Sequence, residues 1–528
     1  MNSSSSPVPD DFQEESPLVS RDVESLPSSS SASASLPSDD VSRPVGATKE
    51  LDPKKKLRFY IVFGVVFAML AGGMIAGVVL LSRGSPVDGL TADSIRSLLA
   101  SLEEKGRGPT GSRDPASGGY NLSAAFLESE LRSSVSCDVR RQYFQSVQYR
   151  LNSPASLSMD GVALVSGTDF VAMRYSGAGV SPAQGLKAVF WSSACALNFS
   201  GFPQGRVAAV DLAQAPSSAC SFIDMGLAAQ DAGAAAVLFV NGPSATLPSG
   251  ARVRKPGYLA GDRLMQIPVF SLGRAVGLLM NQTNATLTFS VNSTIEILTT
   301  FNVLCETRTG DANSLVVIGA HLDGVPGDGR WGANDNGSGS MSVLEIAKQW
   351  SGAFDGLKSR VLFAWWGSEE EGLIGSRYFA TNATDMNRIA VYINCDMLGS
   401  PNGVRGINGP SSFNANGSAV VFNAIAASFN ETNLPYETHA MVGGSDFQPF
   451  AEYGIATSGV ATGAGGIKSE EQRRIFGGYA NAPFDPCYHA SCDSPANVKV
   501  TLTAEMAKAV FTAALKLATM DNLRLQLR

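Results

Sequence analysis

From residue 300 onward, short apolar runs alternate with longer amphipathic stretches. The apolar runs predict strands near 314–320, 360–366, 388–396 and 455–461. The amphipathic stretches predict helices near 338–350, 371–380, 412–429 and 503–521. This alternation is typical of an α/β domain with a mostly parallel sheet that helices cover on both faces.

The chain upstream has a different pattern. Two helices are predicted at 90–104 and 121–132, and a strand is predicted near 139–149. From about 155 to 298 the sequence becomes rich in Ala, Gly and Val. This stretch predicts short strands near 206–212, 236–240 and 267–272 and a helix over 222–232. It contains no cluster of acid–base or metal-ligating residues.

Residues 59–81 form a run of 23 residues without a charge, which is long enough to span a bilayer. A cleaved signal peptide fits poorly, because its apolar region is shorter and does not follow 50 polar residues. Lys54, Lys55, Lys56 and Arg58 precede the run. This positive charge predicts a cytosolic N-terminus. We therefore expect a transmembrane signal anchor at 57–82 and a single-pass type II membrane protein.

The net charge of −7 comes entirely from residues 1–53, which hold ten acidic residues against three basic ones. Residues 1–56 are rich in Ser, Pro and Asp and predict a disordered, acidic cytosolic tail. The remainder of the 528-residue chain is neutral, so no basic face is expected and nucleic acid is excluded as a partner. A hydrophobic content of 44% allows large cores.

All seven cysteines follow the apolar run, in a compartment that is expected to be oxidising. The candidate pairs are Cys487 with Cys492, Cys195 with Cys220 and, third, Cys137 with Cys305. Cys395 lies in an apolar strand and is expected to be a buried thiol. The sequence leaves the full connectivity open.

Glycosylation sequons also follow the run, which agrees with an extracellular or endosomal, lysosomal or vacuolar catalytic domain. They lie at Asn121, Asn198, Asn281, Asn284, Asn292, Asn382, Asn416 and Asn430.

Histidine is rare, with only three in the chain. His321 directly follows the predicted strand 314–320, and His489 lies between Cys487 and Cys492. Both positions are typical of metal ligands. His439 has no such surroundings and is expected to be structural or exposed.

Five residues form a candidate dizinc set: His321, Asp335, Glu370, Asp396 and His489. Zinc binds imidazole and carboxylate, and two ions about 3.5–4 Å apart need a bridging group. Asp335, in a Gly-rich turn, is the predicted bridge. Asp323 is expected to accept the second N–H of the His321 imidazole. Glu369 is assigned as general base, beside the ligand Glu370.

Several segments carry a resemblance to a known family. They are His321-Leu-Asp323, Asp335-Asn-Gly-Ser-Gly, Glu369-Glu370-Glu-Gly-Leu-Ile-Gly-Ser, Asn394-Cys-Asp396-Met-Leu-Gly-Ser and Tyr488-His489-Ala-Ser-Cys-Asp493. Together they resemble the co-catalytic zinc aminopeptidases of the aminopeptidase Y type. The resemblance covers about 88–153 and 300–525, as two parts of one peptidase domain. Residues 154–299 resemble an inserted protease-associated domain.

The resemblance implies a three-layer α/β/α zinc-exopeptidase domain with a mixed, mostly parallel sheet. It implies two Zn²⁺ ions, one held by His321 and Asp396 and the other by Glu370 and His489, with Asp335 between them. Tyr488 matches a tyrosine that steadies the oxyanion. Peptides with a free N-terminus are the implied substrates.

Three further points concern residues near these motifs. Ser445-Asp446-Phe447 resembles a loop near the family's active site, with a helix cap as the alternative. Glu371 and Cys395 are assigned no chemistry. Asn336-Gly-Ser reads as a sequon but is expected to lie unmodified in the active site.

Three other functions are alternatives to this one. A glutamate-carboxypeptidase-like enzyme shares this build but adds a long helical domain, and only 39 residues follow His489. A non-catalytic receptor is disfavoured because every ligand is present. The complete two-zinc set disfavours a one-zinc glutaminyl cyclase. The sequence leaves the preferred N-terminal residue and the oligomeric state open.

Overall fold

A computed structural model describes residues 86–191, 198–213, 222–242, 263–350, 356–381, 386–441 and 443–527. The predicted tail at 1–56, the apolar run at 59–81 and the candidate pair Cys195–Cys220 lie outside these residues. Within the described part of the chain, no helix combines the length and the apolar character needed to cross a membrane.

Fifteen strands are assigned within the described ranges. In chain order they are β1 (Cys137–Met159), β2 (Val162–Ala163), β3 (Phe170–Ala172), β4 (Gly179–Val180), β5 (Leu186–Phe190), β6 (Val207–Asp211), β7 (Ala236–Val240), β8 (Val269–Leu272), β9 (Thr286–Thr307), β10 (Asp311–His321), β11 (Ser359–Trp366), β12 (Ile389–Cys395), β13 (Gly406–Asn408), β14 (Glu437–His439) and β15 (Ala456–Ala461).

The α-helices of the described residues are α1 (Ala92–Gly106), α2 (Gly119–Ser134), α3 (Phe222–Asp231), α4 (Arg274–Thr283), α5 (Gly339–Trp350), α6 (Ile374–Thr381), α7 (Ala415–Glu431), α8 (Phe447–Glu452), α9 (Glu470–Phe476), α10 (Val500–Thr519) and α11 (Leu523–Gln526). The strands and helices predicted from the hydrophobic pattern are confirmed within a few residues at most ends. Several helices have a side-chain cap at their N-terminus. At the start of α1, for example, the Thr91 side chain accepts a hydrogen bond from the Ser94 main-chain N–H.

The core sheet runs β14-β13-β15-β12-β10-β11-β9. Strand β10 lies at its centre and is parallel to both β11 and β12. Strands β12 and β15 are also parallel, whereas β9 is antiparallel to β11 and β13 is antiparallel to β15. The predicted mixed, mostly parallel sheet is therefore confirmed.

Helices cover both faces of this sheet. On one face, Leu315 and Val317 of β10 share an apolar cluster with Phe379 of α6 and Phe450 of α8. The intervening residues of a strand point to the opposite face, where α5 and α10 contact β10. Burial on both sides explains why β10 to β12 are almost continuously apolar.

A second, smaller sheet lies in the stretch that differs in composition. Strands β5, β6, β7 and β8 are parallel neighbours, and β3 pairs antiparallel with β8. Helices α3 and α4 belong to the same stretch. We call residues 160–285 the inserted unit.

A long antiparallel ribbon of β1 and β9 joins the inserted unit to the core. It pairs Cys137 with Thr307 at one end and Met159 with Leu287 at the other. The disulfide Cys137–Cys305, the third candidate pair, crosses it. The boundaries expected at 153 and 299 fall inside these strands, and the described residues from Gly89 onward belong to one compact unit.

Candidate active site

Polar side chains gather where the three central strands end. His321 is the last residue of β10, and Asp396 directly follows β12. Glu369 and Glu370 follow β11 in loop 367–373. Since the three strands are parallel neighbours, these residues meet at one edge of the sheet, where ligands of such folds bind.

The five predicted ligands lie together around Asp335. The Nε2 atom of His321 is 3.3 Å from Asp335 Oδ1 and 3.4 Å from Asp396 Oδ1. The Nε2 atom of His489 is 3.0 Å from Asp335 Oδ2 and 3.5 Å from Glu370 Oε1. The two oxygens of Asp335 therefore face two different histidines.

The donor atoms of this cluster fit metal binding. His321, Asp335 and Asp396 form one group, and Asp335, Glu370 and His489 form a second; within each, the ligand atoms lie within 4.8 Å of one another. Glu370 Oε1 and Asp396 Oδ1 are buried and accept no hydrogen bond from the residues that the structure describes. Buried carboxylate oxygens without donors are costly unless a cation satisfies them. Imidazole and carboxylate are the donors that zinc binds.

Charge and burial shift the proton affinity of these groups. Burial, above all, raises the pKa of Glu369 well above its ordinary value, and the neighbouring carboxylate of Glu370 adds to the effect. Burial lowers the pKa of His321, but the carboxylates of Asp396 and Glu369 outweigh it and the pKa is raised. Although burial raises the pKa of Asp335, its contacts with both histidines hold it below the ordinary value.

The turn that presents Asp335 is held from several sides. Asp493 accepts the main-chain N–H groups of Asn334 and Asp335 at 2.8 and 3.0 Å. Asn336 donates to the Cys395 carbonyl oxygen at 2.9 Å, next to Asp396. The side chain of Asn336 is fully buried, as expected for a sequon that stays unmodified. These contacts fix the shared carboxylate relative to its neighbours.

His489 lies in a small loop closed by the disulfide Cys487–Cys492, which confirms the first predicted pair. Its backbone is left-handed, with φ of 55°, a strained conformation for this residue type. The ring of Tyr488 stacks on the imidazole, with 3.8 Å between ring centres. Burial raises the pKa of the Tyr488 hydroxyl well above its ordinary value, so it stays protonated and can donate.

Asp323 acts differently from the expectation. The His321 Nδ1 atom lies 3.1 Å from the main-chain oxygen of Asp323 but 3.8 Å from its carboxylate. That carboxylate accepts the main-chain N–H groups of Glu369 and Glu370 at 3.1 and 3.2 Å. Asp323 therefore orients the imidazole through its backbone and the two glutamates through its side chain.

The Ser445-Asp446-Phe447 segment belongs to the site rather than to a helix cap. Ser445 Oγ donates to Asp396 Oδ2 at 2.6 Å and accepts from Asn394 at 2.8 Å. No side-chain cap begins α8. Asp446 is buried close by, and this burial raises its pKa to about 8.

Sequence reasoning missed several supporting residues. Arg113, fully buried, donates to the carbonyl oxygens of Leu322 and Trp331 at 3.0 and 2.6 Å, and so fixes the chain between His321 and Asp335. It follows a Gly- and Pro-containing turn, which offers no signal of this role. The role of Asp493 was also missed, although this residue ends the Tyr488-His489-Ala-Ser-Cys-Asp493 segment.

Two further predictions concern Cys395 and His439. Cys395 is a buried free thiol, as expected. His439 lies on β14, and its Nε2 is 2.8 Å from Glu437 Oε1, outside the metal-type cluster.

Comparison with known proteins places this site in a family. Residues 302–514 match the model of peptidase family M28. The chain is 31% identical over 397 residues to a probable leucine aminopeptidase 2 of Arthroderma benhamiae, covering 72% of this chain and 74% of the relative. It is 32% identical over 436 residues to an aminopeptidase of Pseudomonas aeruginosa, covering 78% and 77%.

Solved structures share the fold. An aminopeptidase from Aneurinibacillus sp. strain AM-1 superposes with a TM-score of 0.60 at 21% identity, over 82% of this chain and 95% of the other. A zinc aminopeptidase from Bacillus subtilis gives a TM-score of 0.55 at 22% identity, over 83% and 96%. The chain therefore belongs to peptidase family M28 and is a hydrolase that acts on peptide bonds.

Proposed function

We propose that this protein is a zinc aminopeptidase that removes N-terminal residues from peptides with the help of two zinc ions. One ion is assigned to His321 and Asp396, the other to Glu370 and His489, and Asp335 is shared. The names of the relatives, leucine aminopeptidase and aminopeptidase, support the reaction.

One observation carries the proposal of two ions. The carboxylate of Asp335 faces His321 with one oxygen and His489 with the other, at 3.3 and 3.0 Å. Each histidine has one further carboxylate nearby, so the site consists of two ligand groups with one common member. This is the arrangement that a bridged pair of metal ions requires.

The chain's own residues divide the work of hydrolysis. When bound, the zinc pair supplies Lewis acidity toward water and the scissile carbonyl. Glu369 takes a proton from the attacking water and passes it to the departing amine. Tyr488 donates a hydrogen bond to the developing oxyanion. Asp323 holds the amides of Glu369 and Glu370, so the base and one ligand keep their spacing.

Selectivity for the N-terminus would come from charge. The substrate's α-amine is cationic at neutral pH, and the site presents the carboxylates of Asp396 and Glu369. An N-acetylated peptide lacks that cation and should not be cleaved. A glutamate-carboxypeptidase-like enzyme would instead release C-terminal residues, and a receptor would release none.

The test uses the full-length protein and a matched pair of peptides, one with a free N-terminus and one N-acetylated. We expect release of the first residue from the free peptide only, loss of activity with a chelator and return with zinc. Elemental analysis should find two zinc ions per chain in the wild type. Release of a C-terminal residue from both peptides, or a single tightly bound zinc at full activity, would contradict the proposal.

We further propose that the protein is anchored through residues 59–81 with its catalytic part outside the cytosol, and that residues 154–299 form a protease-associated domain. The disulfides Cys137–Cys305 and Cys487–Cys492 support an oxidising compartment. Seven sequon asparagines are exposed, namely Asn121, Asn198, Asn281, Asn284, Asn292, Asn416 and Asn430. Glycosidase treatment of the expressed protein should reduce its apparent mass. An unchanged mass together with protease sensitivity from the cytosolic side would contradict this topology.

A further inference from the structure

Glu371, the third acid of loop 367–373, contacts the inserted unit. The Tyr175 hydroxyl donates to the Glu371 main-chain oxygen at 3.0 Å and also contacts its carboxylate. The Arg174 guanidinium lies 3.6 Å from Glu371 Oε2 and 3.4 Å from the Glu370 main-chain oxygen. The Glu371 side chain is completely shielded from solvent. A carboxylate this deeply buried needs such partners.

The backbone on both sides of Tyr175 is hydrogen-bonded within the inserted unit. The flanking residues bond to β8, since Met173 donates to the Val269 carbonyl at 2.9 Å and Val269 donates to Ser176 Oγ at 2.8 Å. Tyr175 itself has a left-handed backbone, with φ of 64°. Its ring packs against Tyr149 with 5.5 Å between ring centres. The position of the hydroxyl is therefore set by the inserted unit together with Tyr149 of the ribbon strand β1.

The core holds the same loop at other points. Asn302 accepts the Gly367 N–H at 3.1 Å and donates to the Gly375 carbonyl at 2.9 Å, so it holds the start of the loop and the first turn of α6 that follows it. Asp323 holds the amides of Glu369 and Glu370 in the middle. The contact from Tyr175 and Arg174 is thus a third support, and it acts on Glu371 and on the main-chain oxygen of the ligand Glu370.

We propose that Tyr175 and Arg174 are positioning residues, through which the inserted unit holds Glu369 and Glu370 in place by way of Glu371. This inference rests on the proposed function of those two glutamates. Glu371 belongs to neither ligand group, and no chemistry is assigned to it. Its role is to connect the inserted unit to the residues that do.

The experiment compares Tyr175→Phe with Tyr149→Phe in the full-length protein. The two tyrosines belong to one aromatic pair, but the Tyr149 hydroxyl has no hydrogen-bond partner among the described residues. We expect Tyr175→Phe to lower kcat about 10-fold or more, since small displacements of reacting groups are costly, with KM within about twofold. Zinc affinity of the metal-free protein, measured by chelator competition, should fall about 10-fold. Tyr149→Phe should match the wild type in both.

A second pair of variants covers the case in which Tyr175→Phe does not fold, as judged by circular dichroism. Arg174→Met should lose kcat and zinc affinity in the same way, and Arg174→Lys should restore part of both because it keeps the positive charge near Glu371. This inference alone would be overturned if the wild type is active but Tyr175→Phe has the same kcat and zinc affinity as Tyr149→Phe. It would also be overturned if Arg174→Met has the same kcat and zinc affinity as the wild type. A wild type that neither binds zinc nor cleaves peptides would overturn the proposed function, and this inference with it.

Discussion

The core and the inserted unit both contain parallel apolar strands, yet their strand ends differ in charge. At the ends of β10, β11 and β12, carboxylates converge on the two imidazoles of His321 and His489. At the end of β6, Asp211 pairs with Arg274, with 2.7 Å between Asp211 Oδ1 and Arg274 Nη1. Arg274 also donates to the Asn241 carbonyl oxygen at the end of β7.

This difference separates an acid that is already paired with a cation from acids that could bind one. In the inserted unit, Arg274 already neutralises Asp211. No metal-type cluster occurs among the described residues of that unit. The core acids instead surround histidines. Their carboxylate oxygens Glu370 Oε1 and Asp396 Oδ1 accept no hydrogen bond from the described residues, and a bound cation can satisfy them. Similar strands therefore support different roles, according to how the acids at their ends are paired.

The sharpest test of this difference replaces one acid in each region. Glu369→Gln should lower kcat about 10²–10⁴-fold because the water loses its base, while bound zinc stays near two ions per chain. Asp211→Asn should leave kcat unchanged. The measurements are steady-state kinetics and elemental analysis. A kcat of Glu369→Gln close to the wild-type value would show that Glu369 is not the general base.

The pH dependence of stability tests the buried acids of the core. Burial raises the pKa of Asp446 to about 8, so the folded protein prefers the protonated carboxyl. Its contribution to stability is complete below the ordinary carboxyl pKa and is lost as pH rises toward about 8. In that window the free energy of unfolding of the zinc-free protein should fall by up to about 1.4 kcal/mol per pH unit from this one proton.

Asp446→Asn should flatten that slope, because the amide does not titrate. Denaturant titrations of the zinc-free wild type and variant between pH 5 and 8 provide the comparison. Parallel slopes for the two proteins would show that Asp446 does not hold the raised pKa.

The support behind the shared carboxylate should have a smaller effect. Asp493→Asn removes an acceptor for the amides of Asn334 and Asp335 and should weaken zinc binding about 10–100-fold. Asp138→Asn is the control, because that acid is exposed and paired with Arg308. Chelator competition measures both affinities, and equal values would mean that Asp493 does not position Asp335.

The weakest effect is expected in the inserted unit. Arg274→Met removes the partner of Asp211 and should lower the free energy of unfolding by about 1–2 kcal/mol, since the pair is only partly buried. The value of kcat should not change. Thermal unfolding and peptide kinetics test this, and a large loss of activity without loss of stability would show that this strand end also serves catalysis.

Much of the core was predictable because its strands are buried on both faces and read as apolar runs. The ribbon was harder to delimit. A strand was expected only near 139–149, whereas β1 continues to Met159 through the exposed residues 150–154. In this ribbon, pairing with β9 continues through the exposed stretch with two shifts of register, one between Leu151 and Ser153 and one between Ser153 and Ser156. The hydrophobic pattern therefore ended before the strand did.

The candidate site was predictable where residue type and local position coincide. A histidine after a buried strand, an acid in a Gly-rich turn and a histidine between two cysteines are local signals. The sequence by itself thus determined which groups could bind metal, because ligand chemistry belongs to the side chain.

The tertiary structure decided which groups support those residues. Three supporting residues are far in sequence from the residues that they contact. They are Asp493, which contacts Asp335; Arg113, which contacts Leu322; and Tyr175, which contacts Glu371. Hydrogen bonds depend on distances of about 3 Å and on direction, and neither is written in the spacing of residues along the chain. Only the folded arrangement of the core, the ribbon and the inserted unit brings these partners together.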